Sequence, residues 1–353
     1  MISRINIRMV SETTTALCVQ LQQAETIRRY LSDKKILRND LKIIKDGKFI
    51  YFPVKNIPKE LNSYEIIKKV FEKRGTKPTS YKEIVTIPYK LKHQLPTSYD
   101  VIGDIILVKL PKDLLGYKKE IGESLLMSNK NIKTVCLSEP VAGELRTRNV
   151  TVVAGEKKTT TIHKEYSLSF EVDIQKTYFS PRLARERKRI ASLVQPGEIV
   201  VDMFSGVAPF SIMIAKYADP KIIYAIDINS EAVKYAKENI KRNNVLDKVE
   251  IIHEDAKKIH TIIKKHADRI IMNLPFSSHM FFTHALKIAK NKSIIHYYDI
   301  LKEEKIQKRV DELKKIAEEN KTILTNLDIR KIKTYAPREV YIGIDITAKK
   351  MPM

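Results

Sequence analysis

The chain has 353 residues, 43% of them hydrophobic, which is enough for two or three domains with real cores. Lysine and arginine number 65 against 42 acids, a formal charge of +23, which points to a polyanionic partner, nucleic acid foremost, beside the plainer reading of lysine-rich solvated faces. Cys18 and Cys136 are too few for a disulfide framework or a cysteine metal cluster and fit a reducing cytoplasm; no apolar run approaches the roughly eighteen residues of a membrane span, and no signal-peptide core opens the chain.

Residues 16–21 read as a strand and 24–34 as a helix whose Arg28, Arg29, Lys34 and Lys35 either touch phosphates or line a solvated face. The Asp46-Gly47 pair, between Ile43-Ile44 and Phe49-Ile50, signals a hairpin. Residues 1–62 are therefore expected to form a small α+β domain. A proline-punctuated, charged stretch follows over 56–81, with a short amphipathic helix expected over 63–73. Residues 63–178 alternate the two patterns, as an α+β domain does. Strands are expected over 102–110 and 134–137, a helix over 114–127, and two paired strands over 150–155 and 166–172. Arg146 and Arg148 stand in the loop before that pair, where arginines attract phosphate by default.

Ser180-Pro181 suits an N-cap and first turn, so a helix is expected from there to about Ser192. The stretch GEIVVDMFSGVAPFS, residues 197–211, organises the last domain, 179–353. Its β-branched run ends in Asp202, a turn follows at Gly206, and Pro209 opens a helix. About twenty residues on, the run 222–226 ends in Asp227, where a carboxylate grips ribose hydroxyls. Asp255, after the strand-like 249–253, suits a contact to adenine. Each acid alone is as readily a cap or a solvated strand end; their ordered series points to a nucleoside cofactor. A dinucleotide would want G-x-G-x-x-G, but Gly206 is followed by Val207, Ala208, Pro209 and Phe210. S-adenosylmethionine, which has no phosphates, fits better.

Four motifs stand in one order: YFSPRLARER at 178–187, DMFSGVAPF at 202–210, DIN at 227–229 and NLPF at 273–276. Together they resemble the archaeal-type tRNA (guanine37-N1)-methyltransferases. The resemblance implies a Rossmann-like class I methyltransferase domain, with a doubly wound seven-stranded sheet, behind an α+β RNA-binding domain and a small N-terminal domain that contacts tRNA. It implies S-adenosylmethionine held by Tyr178, Arg187, Asp202, Phe204, Gly206, Asp227, Ile228, Asn229, Asp255, Asn273 and Pro275. It also implies a monomeric cytoplasmic enzyme that engages the anticodon stem-loop of tRNA. Guanine N1 has no free lone pair until its proton leaves, so a general base is needed; Glu186 resembles the family's base. Charge then develops on O6, where a guanidinium is suited to stabilise it. Arg146 resembles the family's arginine, with Arg148 close enough in sequence to share the assignment. Asn273 can read a base edge, Pro275 stiffens its loop, and Phe276 stands where amino-methylating enzymes carry a stacking tyrosine.

Two positions depart from the pattern. Ala208 replaces a frequent second glycine, and Arg185 precedes Glu186, where it either lowers the carboxyl pKa or projects to solvent. Further along, Ser230 is expected to cap a helix with the apolar stripe Ala232, Val233, Ala236 and Ile240. A strand near 293–298, a charged helix over 303–320 and a closing strand pair at 329–335 and 340–347 complete the domain. The eight histidines show no metal spacing. Three alternatives stay open: wyosine-type modification of the same base by a further methylation or by aminocarboxypropyl transfer, a basic RNA-binding module without catalysis, and an NAD-dependent enzyme.

Overall fold

The computed structural model describes residues 11–73, 80–139, 149–264 and 266–352. The chain divides into two compact units, Met1–Ile84 and Val85–Met353.

The first unit holds β1 (Ser11–Gln20), α1 (Ala24–Asp33), β2 (Ile44–Asp46), β3 (Phe49–Pro53) and β4 (Glu65–Glu72). Its sheet is antiparallel in the order β2-β3-β1-β4. The hairpin expected around Asp46-Gly47 turns through Gly47 and Lys48, with Asp46 paired to Phe49 across it and Gly47 at φ 57°. Ile27 and Leu31 of α1 pack on Leu17, Val19 and Phe52. The helix expected over 63–73 is instead β4. Ile66, Ile67, Val70 and Phe71 recur in adjacent pairs four apart, a helical stripe rather than an alternation, and pairing with β1 overrides it. Phe71 is buried against Ala16 and Leu41, whereas Ile66 and Val70, out of phase with it, are exposed. β4 also carries the first sheet beyond residue 62. A single helical turn, α2 (Tyr81–Ile84), ends the unit.

The second unit opens with β5 (Asp100–Ile102), β6 (Ile105–Val108), α3 (Lys118–Ser128), β7 (Thr134–Ser138) and β8 (Val150–Gly155). These strands form a sheet in the order β5-β6-β7-β8, with α3 as the crossover between parallel β6 and β7. A separate hairpin follows, β9 (Thr160–Glu165) and β10 (Leu168–Asp173). The strand at 166–172 therefore does not pair with 150–155 as expected. Tyr166 and Ser167 both adopt positive φ, the geometry of a two-residue hairpin turn, and that local closure outcompetes the longer one.

After α4 (Ala184–Leu193) come β11 (Ile199–Asp202), α5 (Pro209–Tyr217), β12 (Ile222–Asp227), α6 (Ser230–Arg242) and β13 (Val249–His253). The chain then continues through α7 (Ile259–Ile262), β14 (Ala267–Met272), α8 (Phe282–Ile288), β15 (Ala289–Lys302), α9 (Ile306–Glu319), β16 (Thr322–Ala336) and β17 (Glu339–Lys350). The strands make one seven-stranded sheet in the order β13-β12-β11-β14-β15-β17-β16, in which β17 runs antiparallel to both of its neighbours, β15 and β16, and the other pairings are parallel. This is the expected doubly wound sheet with its terminal hairpin. Successive residues face opposite sides: Val200, Ile271 and Tyr298 pack under α4, α5 and α6, and Val201, Ile270 and Tyr297 under α8 and α9. The first of these clusters continues into Ile105, Leu107, Leu168 and Phe170, so the four-stranded sheet and the hairpin share the core of the large sheet. β10 is further secured by α6. Asn239 accepts from the Glu171 N–H (2.7 Å) and donates to its carbonyl (3.0 Å), and Asn243 treats Ser169 the same way (3.0 and 2.8 Å).

Candidate active site

A cavity of about 410 Å³ lies at the carboxyl ends of β11, β12 and β14, where the winding of the sheet reverses. The turn after β11 supplies its floor. Gly206 (φ 56°) and Ala208 (φ 64°) both take the left-handed conformation. Ala208 thus adopts the backbone of the glycine it replaces, at a cost of roughly 1–2 kcal/mol. The Gly206 N–H donates to Asp227 Oδ2 at 2.6 Å, the Ala208 N–H is taken by Ser205 O at 2.8 Å, and Pro209 has none. No row of free amides is left to cradle a pyrophosphate, which argues against a dinucleotide on geometry.

Asp227 sits at the tip of β12 and accepts from the Gly206 and Asn229 amides. Burial pushes its carboxyl up, and those amides only partly offset this. Asp255 caps the turn after β13 by accepting from the Lys257 N–H (2.9 Å) and lines the same cavity. Phe204, Ile228, Tyr178, Asn273 and Pro275 line it as well. Carboxylates on adjacent strand tips, beside apolar walls and a phosphate-averse turn, fit the adenosine and amino-acid parts of S-adenosylmethionine.

Three of the expected cofactor residues direct their side chains at protein partners, and two of these, Asn229 and Arg187, still border the cavity. Asp202 is fully buried and is not part of the cavity wall; its Oδ2 takes the Ser211 hydroxyl at 2.8 Å beneath the turn. Asn229, rather than Ser230, is the N-cap of α6, accepting from the Glu231 and Ala232 amides and donating to Lys176 O. Arg187 borders the cavity, but its guanidinium forms a buried bidentate pair with Glu165 (2.7 and 2.5 Å) and donates to Ser180 O. It pins the YFSP loop in place. The Ser180 side chain makes no capping bond, and α4 proper begins at Ala184 after a 3-10 turn.

At the cavity mouth, Asn273 accepts from the Tyr341 hydroxyl. Phe276, in a left-handed conformation (φ 75°), meets Tyr335 edge to face with ring centroids 5.6 Å apart, and both rings are half exposed. Glu186 is buried on α4 but does not reach the cavity wall. Its carboxylate accepts from Arg189 (2.9 and 2.7 Å) and from the Tyr298 hydroxyl (2.8 Å), with Arg330 at 3.9 Å. Burial pushes this carboxyl up, but Arg189, Tyr298 and Arg330 outweigh it and hold the group below the ordinary glutamate range. Arg185 is exposed and takes no part. The Tyr298 ring stands 6.1 Å from that of Tyr341, so two tyrosines join Glu186 to Asn273. Arg146 and Arg148 lie outside the described residues. Tyr298, Tyr335, Tyr341, Arg189 and Asp345 were not foreseen; they come from α4 and the far strands, and no local motif marks them.

The family models that match this chain are the TRM5/TYW2 methyltransferase domain over residues 161–325, the TYW2 N-terminal domain over 81–159 and the tRNA methyltransferase 5 N-terminal domain over 16–62. The tRNA (guanine(37)-N(1))-methyltransferase Trm5b of Pyrococcus abyssi is 40% identical over 94% of this chain and 98% of its own. A tRNA(Phe) (4-demethylwyosine(37)-C(7)) aminocarboxypropyltransferase of Methanocaldococcus jannaschii is 36% identical over 70% of this chain and 96% of its own. The solved complex of aTrm5 with tRNALeu superposes with a TM-score of 0.80 at 36% identity, over 94% of this chain and 99% of that one. With the cavity, the strand-tip acids and the sheet order in agreement, the chain belongs to the TRM5/TYW2 family of methyltransferases.

Proposed function

We propose that this enzyme methylates N1 of guanine 37 in tRNA, 3′ of the anticodon, with S-adenosylmethionine as the donor. The observation that carries the reading is the cavity itself: acids at successive strand tips around a turn whose Gly206 and Ala208 amides are already bonded, with Asn273 and an aromatic pair at its mouth. Asp227 would hold the ribose hydroxyls, Asp255 the adenine, and Phe204, Ile228 and Pro275 the apolar walls. When bound, the cofactor supplies an electrophilic methyl on a cationic sulfur.

The remaining work falls to the chain. Asn273 orients the base edge, and the proton of N1 passes to the Glu186 carboxylate while the freed lone pair forms the bond to the transferred methyl. Charge that builds on O6 is assigned to Arg146. Glu186 must turn out of its pairing with Arg189 to do this, since catalytic hydrogen bonds commonly form only when substrate is in place. The target base leaves its stack to enter the cavity, and the basic surface holds the anticodon stem-loop of the tRNA. We infer a monomer acting in the cytoplasm, where the free thiols of Cys18 and Cys136, both buried, stay reduced.

Purified tRNA bearing guanine 37 and a Glu186→Gln variant test the reading. Loss of methyl transfer with retained cofactor binding is expected. Undiminished turnover removes Glu186 as the base. Product mass separates a methyl from an aminocarboxypropyl group, the transfer named for the Methanocaldococcus relative.

A further inference from the structure

Glu186 is one end of a polar chain that crosses the large sheet. Arg189, one turn further along α4, grips Glu186 with Nε and Nη2 and also reaches Asp345 on β17, Nη1 to Oδ2 at 2.8 Å and Nη2 to Oδ1 at 3.3 Å. Asp345 is held from two other strands. Arg330 on β16 makes a bidentate pair with it at 2.9 Å on each oxygen, and His296 on β15 stands 2.6 Å from Oδ1. The His296 ring is oriented in turn by Arg269 on β14, 2.8 Å from Nε2. A guanidinium only donates, so Nε2 accepts and the proton sits on Nδ1, facing Asp345. Arg269 is itself clamped by Glu198 at 2.7 and 2.9 Å and caps α4 at Leu193 O.

We infer that Arg189 is a positioning residue that keeps Glu186 in reserve, and that Asp345 is the anchor that retains Arg189 when Glu186 turns toward the substrate. This rests on the reading of Glu186 as general base. Removing one partner of a buried ion pair ordinarily strands the other charge at a large cost. Here the guanidinium has a second carboxylate already in contact, so Glu186 can leave without uncovering it. The groups facing Glu186 are Arg189 from its own helix, the Tyr298 hydroxyl from β15 and Arg330 from β16; Asp345 from β17 acts through both arginines. While paired, Glu186 is ionised but a poor proton acceptor. Released from Arg189, it becomes the stronger base that N1 requires.

Single-turnover methylation of tRNA by the full chain, followed against pH, tests this with three variants. In Arg189→Met the acid limb of the rate moves up by about one pH unit or more, because the carboxyl loses its principal cation; KM for tRNA stays within about twofold, and Arg189→Lys brings the limb back toward the wild type. In Asp345→Asn the anchor is weakened and Arg189 is left to Glu186, so the single-turnover rate falls about tenfold or more at every pH without an upward move of the limb. An unmoved limb in a folded Arg189→Met protein, judged by circular dichroism, overturns the inference. If that variant does not fold, an Asp345→Asn rate equal to wild type overturns it. Full turnover by Glu186→Gln would instead remove the underlying base assignment, so the two failures are told apart.

Discussion

Replacing Asp202 by asparagine should change how stability depends on pH more than it changes stability itself. Asp202 ends β11, has no solvent exposure, and carries one oxygen, Oδ1, with no hydrogen-bond partner among the described residues. Burial, helped by the charge of Asp227, pushes its carboxyl up to about 7, against hydrogen bonds from Ser211 and Phe204 that act the other way. The folded chain therefore keeps a proton that the unfolded chain releases near pH 4. For an acid whose pKa is raised by folding, the stabilising contribution is complete below the unfolded value and is lost as pH rises through the folded one. At 1.36 kcal/mol per unit, the loss is about 2 kcal/mol between about pH 5.5 and about pH 7, and on the order of 4 kcal/mol over the whole window. Asparagine keeps an acceptor for Ser211 and has no proton to lose.

The assay is urea unfolding of wild-type and Asp202→Asn protein without cofactor, followed by far-ultraviolet circular dichroism because the chain has no tryptophan. The stability of the variant relative to wild type should rise by about 2 kcal/mol across that pH interval, since every other titrating group is common to both. Parallel stability curves would refute the reasoning, because they would mean that the Asp202 carboxyl ionises alike in the folded and unfolded chains.

Two further outcomes follow from the packing. Ala208→Gly relieves roughly 1–2 kcal/mol of left-handed strain but loses about 0.8 kcal/mol of buried methyl and 0.4–1 kcal/mol through the looser unfolded chain, so thermal unfolding should place it within about 1 kcal/mol of wild type; a loss above about 2 kcal/mol would show that alanine is not strained there. Asn239→Ala strands the Glu171 amide and carbonyl at the edge of β10, and at about 1–2 kcal/mol for each of these partly buried polar groups the loss should be about 2–4 kcal/mol, with faster hydrogen exchange at the Glu171 amide; unchanged exchange there would contradict it.

The parts of the fold that local chemistry dictates were legible in the sequence. Asp46-Gly47 marks its hairpin because glycine supplies the positive φ, and the three apolar runs ending near Asp202, Asp227 and Asp255 mark parallel strands because each is bounded by turn residues. Where the local pattern pointed to a helix, as in Ile66 to Phe71, it was overridden by a partner strand some fifty residues away that propensity does not see. The site divides along the same line. Asp227 and Asp255 line the cavity, whereas Asp202, a strand end like Asp227, is tucked beneath the turn against Ser211, and nothing in its own stretch distinguishes the two fates. Arg187 reads as a cofactor contact in YFSPRLARER, yet its guanidinium is paired with Glu165, 22 residues upstream on β9. The grip on Glu186 comes from Tyr298 and, through Arg189, from Asp345, 112 and 156 positions from their partners on α4. Their being together is a property of the sheet order, which no single stretch encodes.

The apolar cluster that runs from Phe170 and Leu107 through Val200 to Tyr298 fixes the angle between two surfaces before any ligand arrives. A polynucleotide lying across both would find its footholds at a spacing settled when the polypeptide folded, so the ordering cost of association falls on the flexible nucleic acid rather than on a hinge. Discrimination among candidate strands then becomes a question of which of them can bend to a rigid template.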